Sequence, residues 1–294
     1  VCKLKRTFGE KVFQFFDIII LLLIAASIIF PFINILSISF STKEAVNSRS
    51  VTFWPVGFNV TAYKLILNSN IFLRSLVNTI GLTIVGTIGS IMLTVMVSYA
   101  LTKKFPGKPF VTYYFILTMY FGGGLIPTYL LVSKYLNLKN TYWALLLPYF
   151  INVFYIIVIR SQIDSIPVTI FDAAYIDGAN EYQTLFNIVV PVIIPSIAAV
   201  SMFFALGKWN LWFPVLIYTD HKKYWTLQYY LRSVFFERFI NAKDQGFSLG
   251  DLVEIPEENI RMATIILAAL PIVSIYPFIQ KYFVKGIISG AVKG

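Results

Sequence analysis

An all-α integral membrane fold with six transmembrane helices is the class this sequence predicts, and three observations predict it. The chain of 294 residues is 57% hydrophobic and only 13% charged, whereas a soluble domain carries about a quarter charged residues. That much apolar surface is more than one soluble core of this length could hide. The apolar residues also gather into runs long enough to cross a bilayer as helices, at about 18-37, 76-101, 110-132, 142-159, 188-206 and 262-283.

Residues 1-17 carry Lys3, Lys5, Arg6 and Lys11, interleaved with Phe8, Val12, Phe13, Phe15 and Phe16 at roughly helical spacing. They read as an amphipathic helix on the cytoplasmic surface, with continuation of the first span as the alternative. The first apolar run is too long for a secretory signal and no small-residue cleavage site follows it, so it reads as a retained span. Pro31 and Asn34 predict a kink near its outer end. The stretch 39-75 is polar, with Trp54-Pro55 and Gly57 as interface and turn signals. It reads as an outer loop with one or two short helices.

The second span carries Gly81, Gly86, Gly89, Thr83 and Thr87, small residues that let helices approach closely in lipid. Loop 102-109 holds Lys103, Lys104 and Lys108 and should be cytoplasmic. The third span is interrupted by Gly122-Gly123-Gly124 and Pro127. Glycine costs about 1 kcal/mol against alanine in a helix, and freed backbone at that depth must face protein or a water-filled cavity. Tyr142 and Trp143 mark the outer interface of span four, and Pro191 and Pro195 sit near the inner end of span five. The polar stretch 207-261 reads as external, with parts folding back into the mouth of a cavity. The sixth span contains Pro271 and Pro277, and Lys281, Lys285 and Lys293 follow.

Six spans place both termini on one side. Four Lys or Arg in the N-terminal segment, three in loop 102-109 and three in the tail make that side cytoplasmic, against two in the short outer loop 133-141. The seven bases of 207-261 weigh less, because long loops contribute little to orientation.

The polar interruption 160-187 runs against this charge rule, with one base, Arg160, and four acids, Asp164, Asp172, Asp177 and Glu181. Ser165 with Pro167 predicts a helix N-cap and an early proline. Gly178 can supply the left-handed residue that ends the helix, and Asn180 can cap a second one. The segment therefore reads as a helix, glycine turn and helix outside the membrane, with an acidic surface and an Ala173-Ala174 pair that leaves one face smooth against another protein. The alternative is a solvated connector.

Several function classes are excluded on composition. The formal charge of +10 is spread along segments flanking apolar runs, so membrane orientation explains it and nucleic acid does not. Cys2 is the single cysteine and allows no internal disulfide. His221, the single histidine, reads as a solvated loop residue without partners for a metal. No ionisable residue falls in the middle of a proposed span, which argues against ion coupling, proton relay or voltage sensing. No phosphate-binding G-x-x-x-x-G-K-[ST] loop is present, so the chain should not hydrolyse ATP itself.

Asp172-Ala173-Ala174, three residues, Gly178, nine residues and Ile188-Val189-Val190-Pro191 resembles the cytoplasmic coupling motif of ABC importer permeases, written EAA, three spacers, G, nine spacers, I-x-L-P. Asp172 stands for the glutamate and Val190 for the leucine. Nearly the whole chain is similar to the permeases of carbohydrate ABC importers, the group containing the second permease of the maltose importer. Phe121-Gly122-Gly123-Gly124-Leu125-Ile126-Pro127-Thr128-Tyr129, Gly207-Lys208-Trp209-Asn210 with Trp212-Phe213, and the run from Pro277 to Gly286 resemble the complex-oligosaccharide branch of alginate- and aldouronate-type importers. That family often carries His where Lys208 stands.

The resemblance implies a bacterial inner-membrane, multi-pass permease whose cytoplasmic coupling helix lies between spans four and five. It implies a heterodimer with a second permease, two ATP-binding subunits and an extracellular or periplasmic solute-binding protein. The chain would bind no cofactor, with ATP and Mg held by the partner ATPase subunits. Asp172, Ala173, Ala174, Asp177, Gly178 and Ala179 would form the coupling surface. Sugars bind by aromatic stacking and hydrogen bonds, so Tyr120, Tyr149, Asn152, Tyr155, Trp209, Asn210 and Trp212 are the path candidates, with lipid-facing or interfacial packing as the alternative for each aromatic. A permease for a non-sugar solute such as a peptide or amino acid stays open, as does a stand-alone channel or membrane enzyme.

Overall fold

The computed structural model describes residues 8–236 and 257–291. Lys3, Lys5, Arg6 and Lys293 lie outside the described residues, as does the portion 237–256 of the long polar stretch. Among the described residues the secondary structure is helical throughout. Contacts divide the chain into two units, 1–69 with 234–269, and 70–233 with 270–294.

In the first unit, α1 (Phe8–Ser39) is a single 32-residue helix with Pro31 inside it. Residues 8–17 are continuous with it. Its apolar window is wholly unburied, which suits a helix whose solvent is lipid. The segment after α1 is folded. α2 (Lys43–Asn47) and α3 (Thr61–Asn68) are short, and the intervening chain is tied back to α1. Asn34 Nδ2 donates to the Thr52 carbonyl at 2.8 Å, and Ser37 Oγ to that of Phe53 at 2.7 Å. Phe40 stacks on Phe58 and on Tyr63. Asn259, near the start of the last helix, α15 (Glu257–Ala291), donates from Nδ2 to the Ile38 and Ser41 carbonyls.

The second unit is built on α4 (Asn70–Thr102). One face of α4 buries Ser75, Thr79, Leu82, Gly86, Ser90, Thr94 and Ser98, a stripe of mostly small residues at helical spacing. Thr79 and Thr94 return their hydroxyls to carbonyls one turn back, and Ser98 Oγ crosses to the Ile156 carbonyl at 2.9 Å. Without side chains at Gly86 and Gly89, neighbours come close. A Cβ at Gly86 would lie 2.8 Å from Leu146 Cδ2, and one at Gly89 2.7 Å from Phe150 Cε1.

Three apolar segments cross this unit as bent pairs. α5 (Lys108–Tyr120) meets α6 (Leu125–Leu130), continued by π-helical Leu131–Tyr135, at 111°. The break lies at Gly122–Gly124, where Gly124 has φ +83°, so the interruption expected from the glycines is present. α7 (Tyr142–Leu146), with the 3-10 turn Leu147–Tyr149, meets α8 (Val153–Asp164) at 51°. α9 (Val168–Ile176) follows. α10 (Glu181–Gln183), the π-helical turn Thr184–Val189 and α11 (Val190–Val192) meet α12 (Ile194–Trp209) at 84°. Pro191 and Pro195 flank this bend, and each removes a backbone donor from the ladder.

The core joins α4, α8 and α12 through Val95, Tyr99, Ile159, Ile163, Leu185, Val189, Val200 and Phe204. α12 continues beyond residue 206, through Lys208 and Trp209. The stretch after it returns as α13 (Phe213–Tyr218) and α14 (Leu227–Phe236). It is held on α4 where Asn78 Nδ2 donates to the Lys223 and Trp225 carbonyls and the Leu227 amide donates to Thr79 Oγ1.

Replacing Gly89 by leucine drives a side chain into Phe150. Overpacking of this kind costs about 1–3 kcal/mol, so the thermal midpoint of the purified protein in detergent should fall, whereas Gly81→Ala, with open space around its Cβ and a better helix former in place, should not lower it. An unaltered midpoint for Gly89→Leu would remove the close-packing account of α4.

Candidate functional site

Two places in the second unit combine polar chemistry with distinctive geometry. The first is the acidic segment 160-187. Arg160 pairs with Asp164 one turn on, at 3.4 Å. The expected N-cap is corrected here: Ser165 closes α8, its Oγ donating to the Gln162 carbonyl, and α9 starts from Pro167 without a side-chain cap. Ser165 already sits in helical geometry at the end of α8, so it cannot also hold the extended backbone of an N-cap.

The far end of α9 follows the sequence closely. Gly178 has φ +75°. The Gly178 amide donates to the Tyr175 carbonyl and the Ala179 amide to that of Ala174, the paired bonds of a Schellman close. Asn180 and Gln183 form a reciprocal capping box that starts α10. The alanine pair does not share one face: Ala174 is buried and Ala173 exposed. Asp172, Asp177 and Gly178 are exposed with Ala173, and Ala179 is half-buried. Val168 and Ile176 also stand open, at 67% and 85% exposure. Neither was singled out in the sequence.

This elbow is clasped to the end of α4. Lys103 Nζ lies 2.7 Å from Glu181 Oε2 and donates to Tyr175 Oη at 3.0 Å. Tyr99 and Tyr175 donate their hydroxyls to the two Glu181 oxygens at 2.5 and 2.6 Å. The ammonium also sits over the rings of Tyr99, Phe171 and Tyr175, at 4.5–5.8 Å from their centroids. Burial works against the Glu181 charge, but Lys103, Tyr175 and Tyr99 outweigh it and bring the carboxyl from 4.5 down to about 2. Burial likewise opposes the Lys103 charge, and its bonds to Glu181, Tyr99 and Tyr175 outweigh it and raise the pKa.

The second place is a cavity of about 210 Å³ where the break in the α7–α8 pair faces α12. Tyr149, Asn152 and Tyr155 line it with Phe203, Phe204 and Lys208. Asn152 Oδ1 caps α8 by accepting from the Phe154 amide at 3.0 Å. Tyr155 stacks on Phe203 and meets Phe204 edge-on. Lys208 is 3% exposed, and its Nζ donates to the Tyr149 carbonyl at 2.6 Å.

The other four path candidates do not join this cavity. Tyr120 is open at the end of α5. Trp209 is buried, its indole N–H without a partner among the described residues. Asn210 Nδ2 returns to the Leu206 carbonyl, and the Arg232 guanidinium covers the Trp212 ring. Among the described residues no cluster of His, Cys, Asp and Glu could hold a metal ion. Lys208 has a sequence signal in hindsight: it is the only charge between Glu181 and Asp220.

No protein-family model matches the chain. It is 36% identical over 287 residues to the polygalacturonan/rhamnogalacturonan transport system permease protein YtcP of Bacillus subtilis, covering 96% of this chain and 99% of that one. It is 38% identical over 290 residues to protein LplC of the same organism, covering 98% and 97%. Among solved structures it matches a chain of a bacterial ABC transporter involved in the import of the acidic polysaccharide alginate. The TM-score is 0.88 at 28% identity, over 96% of this chain and all of that one.

The clasp sets a pH dependence. A carboxylate held below its unfolded value stabilises fully above about pH 4.5 and loses that contribution as pH falls toward 2. The thermal midpoint of Glu181→Gln should therefore lie below wild type at neutral pH, and the gap should close on acidification through that window. A gap that persists at pH 2 would show that the charge is not what holds the elbow.

Proposed function

The chain belongs to the carbohydrate ABC-importer permease family, and from that premise we propose that it forms, with a second permease, the membrane path for an oligosaccharide handed over by a solute-binding protein. Two partner subunits bind ATP with its Mg and hydrolyse it. The chain sits in the bacterial inner membrane with six spans, both termini cytoplasmic and 160-187 on the cytoplasmic side. Relatives named for polygalacturonan and alginate, both polymers of uronic acids, support an acidic sugar cargo.

The observation that carries the mechanism is the clasped elbow. A lever must not yield when pushed. α9 is closed at Gly178 and tied through Tyr175 and Glu181 to Lys103 at the foot of α4. Movement imposed on α9 therefore passes into α4, and through the shared core into α8 and α12. The outer surface of α9 offers Asp172, Ala173 and Asp177 beside Val168 and Ile176. Acids to pair with bases, and apolar side chains to enter a pocket, suit docking against the ATP-binding subunit. Gly178 and Ala179 complete the coupling surface at the turn.

Gly178 has open space around its Cβ but a left-handed backbone, which costs an ordinary L-residue about 1–2 kcal/mol and is least costly for asparagine. Gly178→Val should abolish ATP-driven uptake in the assembled importer while the chain still inserts into the membrane, and Gly178→Asn should keep more uptake. Wild-type uptake by Gly178→Val would refute the elbow as the force-bearing contact.

A further inference from the structure

We infer that Lys208 and the cavity it lines receive a carboxylate of a uronate-containing oligosaccharide, so that this lysine sets the path's preference for acidic cargo. The inference rests on the oligosaccharide reading above and deepens it to a residue.

Lys208 is a buried cation with an incomplete partner set. Its ammonium has three donors, and the Tyr149 carbonyl accepts one of them. No described carboxylate lies within ion-pair distance of it. The rings of Tyr149 and Phe150 also lie near it, with centroids 5.8 and 5.6 Å away. A carbonyl neutralises no charge, and ionisable groups buried along membrane spans are retained where function uses them.

The bond to Tyr149 has a structural use, because it satisfies a carbonyl freed where the α7–α8 pair breaks. A neutral donor would serve that purpose equally. The charge itself answers to something anionic. Gly86 leaves the lysine stem room, since a Cβ there would lie 3.2 Å from Lys208 Cδ and Cε.

The cavity supplies the other contacts a charged sugar ring needs. Tyr149 and Tyr155 offer aromatic faces. Asn152 spends Oδ1 on its helix cap, and its amide nitrogen has no partner among the described residues, leaving two donors for ring hydroxyls. A cation, an amide and aromatic platforms on one cavity wall match a uronate better than a neutral hexose, which has no group to compensate Lys208.

The test uses the complete importer in proteoliposomes, with its partner permease, ATP-binding subunits and solute-binding protein. Uptake of radiolabelled trigalacturonate is compared with that of its methyl ester, which keeps the sugar and removes the charge. The binding protein is common to all variants, so its own preference cancels when each acid-to-ester ratio is divided by that of wild type. Lys208→Gln keeps a donor for the Tyr149 carbonyl and should lower the ratio roughly tenfold, the worth of one charge-assisted hydrogen bond. Lys208→Arg should preserve the ratio. Asn152→Asp keeps the helix cap, places a carboxylate on the same wall and should also lower the ratio, which gives a second readout if Lys208→Gln does not assemble. Equal loss of both probes in Lys208→Gln would leave the lysine as a cap for Tyr149 only. An unchanged ratio in both variants would route the cargo elsewhere. Either result overturns the Lys208 assignment and leaves the importer reading intact. Failure of wild type to take up either probe would overturn the galacturonate cargo and the assignment together.

Discussion

An apolar helix that breaks frees backbone groups that need partners within the protein, and the second unit is organised by that constraint. Three of its apolar segments are bent pairs, and each break needs internal partners. Asn152 caps the downstream half of the α7–α8 pair from its own side chain, and Lys208 reaches across from α12 to the last carbonyl of the upstream half. Asn152 does so through a local bond, whereas the Lys208 stem passes beside Gly86 of α4, where a Cβ would strike Leu146 and crowd the lysine. The repair of one broken span thus fixes the packing of two neighbours, and the same geometry leaves the lined cavity between them.

The acidic elbow answers a different demand. α9 has nine residues and few buried side chains, too short to hold itself as an isolated helix. Its order comes from its ends. The Schellman close at Gly178 and the capping box at Asn180 satisfy the backbone through the turn. The ion pair of Lys103 with Glu181, bracketed by Tyr99 and Tyr175, joins the turn to the foot of α4. Ala174 faces inward, so Ala173, Asp172 and Ile176 are presented outward on a fixed frame.

Much of this was legible in the sequence, because the responsible signals are local. Apolar runs, lysine-bearing loops, the glycine triplet, the left-handed Gly178 and the Asn180 cap all act within a few residues, where backbone chemistry alone decides the outcome. The spacing from Asp172 through Gly178 to Pro191 carried the family resemblance for the same reason. What depends on distance in space was not legible. Ser165 ended one helix instead of beginning the next, because α8 extends far enough to claim it. α12 runs on through Lys208 and Trp209, which are buried against other elements. Tyr120, Trp209, Asn210 and Trp212 read like Tyr149 and Tyr155 as sequence, yet only the latter two border the cavity with Asn152. By itself, then, the sequence determined the membrane class, the apolar segments and the chemistry of the elbow's turn, since hydropathy and backbone preference are properties of neighbouring residues. Tertiary structure alone decided that Lys103 clasps Glu181 and that Lys208 shares a cavity with Tyr149, since charge pairing and burial depend on residues the chain holds 78 and 59 positions apart.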